Sequence, residues 1–240
     1  IISKCLPVYR ISPVQYIQSY DLLGIGVIEN KVLLPDYITK QVGLSKDNAL
    51  EFYFPGGNDT MFYRSLAGNI ATTDPNNLKD LQVRWISAIK DYPGDYIKVR
   101  FDNFIELLRW GAVYPAFVAA DVIVKNPWGY VFISNKLSDI YINSISEYPY
   151  LFFPWIYLSI SLFSLFITKF LPKKLRRFNV VLALLIFSFS LPHFFIAPAA
   201  DYRYLHFSVV CAVVQFGMLL GLFFVKLHKR VCSLICLLYT

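Results

Sequence analysis

Between Leu191 and His206 the sequence places a charged pair, Asp201 and Arg203, between two apolar segments that are each long enough to cross a bilayer. A charge at the centre of a transmembrane helix costs about 3 kcal/mol. The pair is therefore predicted to lie in a turn at a membrane face. Together these apolar stretches predict a mainly α-helical integral membrane protein with at least three transmembrane helices, at about 151–169, 180–197 and 204–225.

The composition agrees with this fold class. The chain of 240 residues is 56% hydrophobic and 16% charged, whereas about a quarter of the residues in a soluble domain are charged. The first 150 residues hold 14 basic and 15 acidic residues, and the last 90 hold 9 basic residues against the single acid Asp201. Because the net charge of +7 comes from the apolar half, we expect no binding to nucleic acid and interpret the basic residues as topology signals.

Two basic clusters flank the predicted spans on the same side of the membrane, at 173–177 and 226–230. The positive-inside rule predicts that the loops at 169–179 and 226–230 are cytoplasmic. Because each span crosses the membrane once, the Asp201 turn and residues 1–150 are expected to be extracytoplasmic. Such a topology needs at least one span upstream of Ile1, and both ends of the sequence are interpreted as cuts in a longer polypeptide.

Residues 1–111 have the composition of a small extracytoplasmic domain, for which an α+β fold is predicted. Leu50–Phe54 has the pattern of a strand that leads into a glycine-containing turn. Apolar residues at helical spacing on both sides of the Asp91-Tyr92-Pro93 break predict a helical hairpin. Residues 112–150 are rich in Tyr and Trp and are interpreted as an aromatic interfacial connector, since these residues favour the headgroup level.

Local signatures of cofactor chemistry are absent from the sequence. The four cysteines form no metal-binding spacing and are interpreted as small core or lipid-facing residues. No cofactor is identified, and this chain gives no support for a divalent metal. The triplet Asn58-Asp59-Thr60 fits the N-glycosylation pattern and is interpreted as a chance match.

The candidate site residues cluster around the predicted turn: Asp201, Arg203 and His206, with His193 one or two helical turns deeper. Ionisable groups at the edge of an apolar core invite a functional interpretation. Arg203 is suited to bind a phosphate through two hydrogen bonds, with Asp201 orienting it. The alternative is a solvated ion pair in a short turn between two helices. His193, beside a proline, is interpreted as a hydrogen-bonded packing residue.

The turn P-A-A-D-Y-R-Y-L at 198–205, preceded by two spans around a basic loop, resembles the C-terminal end of bacterial membrane proteins of the GT-C glycosyltransferase-like superfamily. The segments W-I-S-A-I-K-D-Y-P-G-D-Y-I-K-V-R at 85–100 and Y-D-L-L-G-I at 20–25 are similar to the extracytoplasmic domain of such proteins, as is L-L-P at 33–35. The resemblance covers most of the chain.

This resemblance implies transfer of a sugar from a polyprenyl-phosphate donor to an extracytoplasmic glycan, lipid or protein of the cell envelope. It places the protein in a bacterial inner or plasma membrane. Arg203 matches the contact for the lipid phosphate, and orienting or structural roles around it are expected for Asp201, Tyr202, Tyr204 and His206. The family's catalytic acid usually lies in a first outer loop that this sequence does not contain, so the chain is expected to be inactive alone.

A different class of function stays open at this point. The outer domain of a non-catalytic, membrane-anchored envelope protein would bind a partner instead of transferring a sugar. A transporter-like subunit is the third possibility. Transporters carry polar or broken helices at the centre of the membrane, and the third predicted span has Gln215 as its one strongly polar residue.

Overall fold

The computed structural model of the protein describes residues 12–57, 71–113, 129–131, 133, 135–197 and 199–238. The glycosylation pattern at 58–60, the predictions for Cys5, and the part of the connector between 114 and 128 lie outside these residues. The described chain is mainly helical. Its α-helices are α1 Val14–Ile28, α2 Asp36–Val42, α3 Ala49–Phe52, α4 Pro75–Asp91, α5 Pro93–Leu108, α6 Lys136–Glu147, α7 Pro154–Ile167, α8 Lys173–Ser190, α9 His193–Ile196 and α10 His206–Leu238.

The strand predicted at Leu50–Phe54 is wrong, because Ala49–Phe52 forms the single helical turn α3 and Phe54 forms only an isolated bridge with Gly57. A strand would place Leu50, Phe52 and Phe54 on one face, but Leu50 and Phe54 are exposed while Ala49 and Phe52 are buried. Burial at positions i and i+3 is the spacing of a helix. No residue of the described ranges belongs to a strand, and the α+β interpretation of the first domain is therefore not supported.

The chain divides into two compact units. The first comprises residues 1–107 together with 194–200, and the second comprises 108–193 together with 201–240. In the first unit, α4 packs chiefly against α1. The core of this unit is built from apolar side chains of α1, α2, α4 and α5: Tyr20, Leu22, Leu23, Ile25, Ile38, Leu81, Ala88 and Val99. The two helices predicted on either side of Tyr92 are confirmed as α4 and α5, and the Asp74 side chain accepts a hydrogen bond from the Asn76 N–H at the start of α4.

A tight turn at Gly56 connects three parts of the first unit. The Gly56 N–H donates to the Tyr20 hydroxyl at 3.2 Å, and the Gly56 carbonyl accepts from the Ala200 N–H at 2.8 Å. Gly56 has φ +83°, and a Cβ at this position would lie 2.8 Å from the Cβ atoms of both Ala200 and Glu106. Only glycine fits this close approach without displacing its neighbours.

The second unit is organised around α7, α8 and α10, which pack against one another. Within the described residues, Lys173–Ile196 and His206–Val225 are long and apolar enough to cross a membrane, and Pro154–Phe170 is a shorter apolar helix. The span predicted at 151–169 thus corresponds to the shorter helix. The span predicted at 180–197 begins earlier, at Lys173, and is interrupted by a turn at Leu191 and Pro192. The span predicted at 204–225 corresponds to α10, which continues past position 225 to Leu238.

Candidate functional site

The Asp201 turn is held together by its own carboxylate. Asp201 Oδ1 accepts a hydrogen bond from the Arg203 backbone N–H at 3.1 Å, which caps the short 3₁₀ helix Tyr202–Tyr204. The other carboxylate oxygen lies 2.7 Å from Arg203 Nε. The Asp201 side chain is 13% exposed and that of Arg203 is 75% exposed. Asp201 therefore fixes the position of the Arg203 guanidinium, which solvent and solutes can reach.

Two aromatic rings extend this arrangement. The Arg203 guanidinium lies 5.5 Å from the centroid of the Tyr204 ring, and the Tyr204 ring lies 5.8 Å from that of His193. His193 Nδ1 lies 2.8 Å from the Phe189 carbonyl oxygen, so the hydrogen bond predicted for this histidine is present. Stacking on Tyr204 restricts the orientation of the guanidinium, as cation–π contacts do.

Tyr202 and His206 occupy a second part of the same turn. Tyr202 is buried, and its ring contacts those of His206 and Phe152 at 6.0 and 6.2 Å. Burial raises the pKa of Tyr202, so its hydroxyl stays neutral near pH 7 and cannot serve there as a base. Of the candidates, Arg203 is the one that combines charge with wide exposure, while Tyr202 shapes the turn.

An aromatic belt surrounds this end of the helices of the second unit. We use the term for the ring pairs Trp110–Trp155 at 5.0 Å, Tyr141–Phe152 at 5.7 Å, Tyr148–Tyr150 at 6.2 Å and Phe189–Phe207 at 5.1 Å. Trp and Tyr concentrate at membrane interfaces because an apolar ring and a polar edge suit that level. The belt therefore has the composition expected where a helix bundle leaves a bilayer.

The opposite end of α8 carries the basic residues Lys173, Lys174, Arg176 and Arg177. Arg176 donates to the carbonyl of Lys169 at 2.9 Å and closes the loop that joins α7 to α8. The two ends of the bundle thus differ in chemistry, with cations at one end and aromatic rings with the Asp201–Arg203 pair at the other.

Between these ends, the polar side chains of the three helices face one another. Ser190 and Ser208 form a buried hydrogen bond of 2.7 Å. Further along, Gln215 Nε2 donates to Asn179 Oδ1 at 3.0 Å, and Asn179 Nδ2 donates to Thr168 Oγ1 at 2.7 Å. Hydrogen bonds of this kind join transmembrane helices, where the hydrophobic effect between helices is absent.

The outward faces of the same helices are apolar. Only 28% of the most apolar stretch of each long helix is buried. Large apolar side chains are at least 60% exposed along all three helices, among them Phe163, Phe166, Leu184, Phe223 and Phe224. The interior holds these polar groups beside a small apolar core of Leu182, Ile186 and Ala212. Large apolar side chains exposed over most of the outer surface are unlike the surface of a water-soluble bundle.

The first unit contains a buried ion pair that sequence reasoning did not identify. Arg100 Nη2 donates to Asp21 Oδ2 at 2.5 Å, and the side chains of both residues are fully buried. Trp85 Nε1 donates to the same carboxylate oxygen at 2.8 Å, and Arg100 Nη1 and Asn103 Nδ2 each donate to the Ala197 carbonyl at 3.0 Å. This network joins α1, α4, α5 and the segment 194–200.

Burial acts strongly on this pair. Loss of solvent raises the pKa of Asp21 to about 6, although Arg100 and Trp85 oppose the shift by stabilising the carboxylate. Asp21 Oδ1 is buried and has no hydrogen-bond partner within the described part of the chain. Because each group is enclosed, we assign the pair to stability of the first unit and not to chemistry on a substrate.

Comparison with known proteins gives no further guide to the site. No protein-family model, characterised protein or solved structure matches the chain. Within the described residues, His, Cys, Asp and Glu side chains form no group of three or more that could hold a metal. The resemblance of the Asp201 turn to the GT-C superfamily thus stays a prediction.

Proposed function

We propose that the second unit is embedded in a membrane and that Arg203 contacts the phosphate of a membrane lipid at the outer face. The observation that carries the proposal is a 75% exposed guanidinium, tied to Asp201 in a turn directly before a helix long enough to cross a bilayer. The phosphate of an embedded lipid lies at headgroup depth, which is the level of an aromatic belt. The basic end of α8 then lies in the cytoplasm.

In the fuller form of the proposal, the lipid is a polyprenyl-phosphate sugar. The chain is then the C-terminal part of a GT-C-like glycosyltransferase that acts on an extracytoplasmic envelope acceptor. This step rests on the resemblance of the Asp-Tyr-Arg-Tyr turn. Arg203 would hold the donor phosphate through charge-assisted hydrogen bonds, and Asp201 would fix the guanidinium for that contact.

One observation favours a non-catalytic binding protein as the second candidate. The Asp201 carboxylate is engaged by the backbone and side chain of Arg203, so it is not presented to an acceptor. The transporter-like alternative has less support, because Gln215 and Asn179 are buried and bonded to each other between helices.

We expect Arg203→Ala to weaken binding of polyprenyl phosphate by roughly tenfold to a hundredfold. Removing hydrogen bonds to a charged group costs about 1.5–3 kcal/mol. The measurement is equilibrium binding of polyprenyl phosphate to the protein expressed from its complete reading frame and held in nanodiscs. Asp201→Asn should weaken binding less, because the guanidinium keeps its charge but loses its ionic partner.

Lys174→Ala is the matched control, since it removes an exposed cation at the other end of α8 and should leave this binding unchanged. Equal affinity of wild type and Arg203→Ala would exclude the phosphate contact. Transfer from polyprenyl-phosphate sugars, measured with the same proteins, separates the two candidates. Lipid binding without transfer to any envelope acceptor would favour the binding protein.

A further inference from the structure

Helix α6 is unusual in the second unit because none of its 12 residues is buried. Its start is nevertheless fixed locally. Asn135 Oδ1 accepts from the backbone N–H groups of Leu137 and Ser138, both at 3.0 Å, and the Asn135 N–H donates to Ser138 Oγ at 2.7 Å. A helix of this length is marginal in water without a surface to pack on. Ile142 and Ile145 are partly buried, so the described chain covers one side of this helix and leaves the rest of its apolar surface exposed.

The residues of α6 divide between two faces. Leu137, Ile140 and Tyr141 lie at helical spacing on one face and are 78%, 63% and 40% exposed. Asp139 and Ser146 lie on the other side of the helix, and Asn143 lies between the two faces, three residues from Ile140. The segment before α6 exposes further apolar side chains, namely Tyr130, Val131 and Ile133. This surface has the amphipathic pattern of a helix that lies in the plane of a membrane interface.

Ring contacts place α6 at one end of the bundle. The Tyr141 ring lies edge-on to Phe152 at 5.7 Å, and Phe152 lies edge-on to Tyr202 at 6.2 Å. Helix α6 thus lies beside the Asp201 turn, within the aromatic belt. At this level a lipid surface is what covers an exposed apolar face, because the neighbouring helices also expose Phe189 and Phe207 outward.

We propose that α6 lies in the headgroup region of the membrane, with Leu137, Ile140 and Tyr141 turned toward the lipid. The inference rests on the proposed embedding of the second unit. The charges of α6 are Lys136, Asp139 and Glu147, so it has no excess of cations to attract anionic lipid. Burial of apolar side chains is the driving force, and the depth of α6 does not depend on lipid charge or salt.

Site-directed spin labels measure this depth. The labels are placed at Ile140→Cys and Ser146→Cys in a cysteine-free form of the protein expressed from its complete reading frame. The protein is reconstituted in phosphatidylcholine vesicles, with and without added phosphatidylglycerol. We expect the Ile140 label to collide more with oxygen than with a water-soluble nickel complex, and the Ser146 label to show the reverse. Both results should be the same in the two kinds of vesicle.

A label at Val213→Cys, on an exposed apolar position of α10, separates the two proposals. If Val213 reports lipid while Ile140 reports water, α6 is not interfacial although the bundle is embedded. If Val213 also reports water, the embedding itself fails. Spin–spin broadening at Ile140 between copies would show that a second copy of the chain covers this face and would overturn the lipid assignment.

Discussion

Arg100→Leu is expected to lower the free energy of unfolding of the first unit by roughly 3–5 kcal/mol at pH 7, because it leaves Asp21 as an unpaired buried carboxylate. The substitution also removes the Arg100 hydrogen bonds to Asp21 and to the carbonyls of Ala197 and Ile17. Few single substitutions have so large an effect. Faster hydrogen exchange of peptides from α1 and α5 would measure it within the intact protein.

Arg84→Leu is the matched control. Arg84 forms an ion pair with Asp80 at 3.0 Å on the surface of α4, where both side chains are more than 40% exposed. Exposed pairs of this spacing contribute about 0.3–0.5 kcal/mol. Exchange in Arg84→Leu should therefore match the wild type. Equal effects of the two substitutions would contradict a structural role for the buried pair.

The first unit is expected to lose stability as pH rises from about 4 to about 7. The pKa of Asp21 is about 6 in the folded protein, above the usual value of 3.8. Between these two values the unfolded chain releases a proton that the folded chain retains, so higher pH favours unfolding. A shift of this size corresponds to about 3 kcal/mol. Hydrogen exchange of α1 peptides, corrected for the intrinsic dependence of exchange on pH, measures the change.

Asp21→Asn should remove this dependence on pH, because the amide does not titrate. The ionisable neighbours of the pair do not interfere, since burial raises the pKa values of Tyr20, Tyr53 and Tyr96 and keeps them neutral in this range. In Arg100→Leu the pKa of Asp21 should rise further, and acidic pH should restore part of the lost stability. Stability that increases with pH in the wild type would contradict the assignment.

The helices of the second unit could be predicted because their signal is local. An apolar run with a proline and a charged pair at its end indicates a helix, a break and a turn from a few neighbouring residues. Helix α8 ends at Ser190, two residues before Pro192, and Asp201 pairs with Arg203 two residues away. The predicted span begins at residue 180, seven residues after the start of α8 at Lys173. Hydropathy excludes the charged residues at 173–177 from a span, although they form the first turn of the helix.

The Asp21–Arg100 pair could not be predicted because its partners are 79 positions apart and nothing in either neighbourhood specifies the other. Asp21 within the apolar stretch of α1 is the one local signal, and it does not identify its partner. The strand prediction for Leu50–Phe54 was wrong for a related reason. A run of five apolar and acidic residues suits a strand or one helical turn, and only the packing of Ala49 and Phe52 decides between them.

The central claim of this account is that the second unit crosses a membrane with the Asp201 turn outside and the basic end of α8 inside. Single cysteines at His206 and Lys174, in a cysteine-free protein expressed from its complete reading frame, test it most directly. In intact cells a membrane-impermeant maleimide should label His206→Cys, and it should label Lys174→Cys only after lysis. Equal labelling of both positions in intact cells, or labelling of Lys174→Cys alone, would contradict the claim.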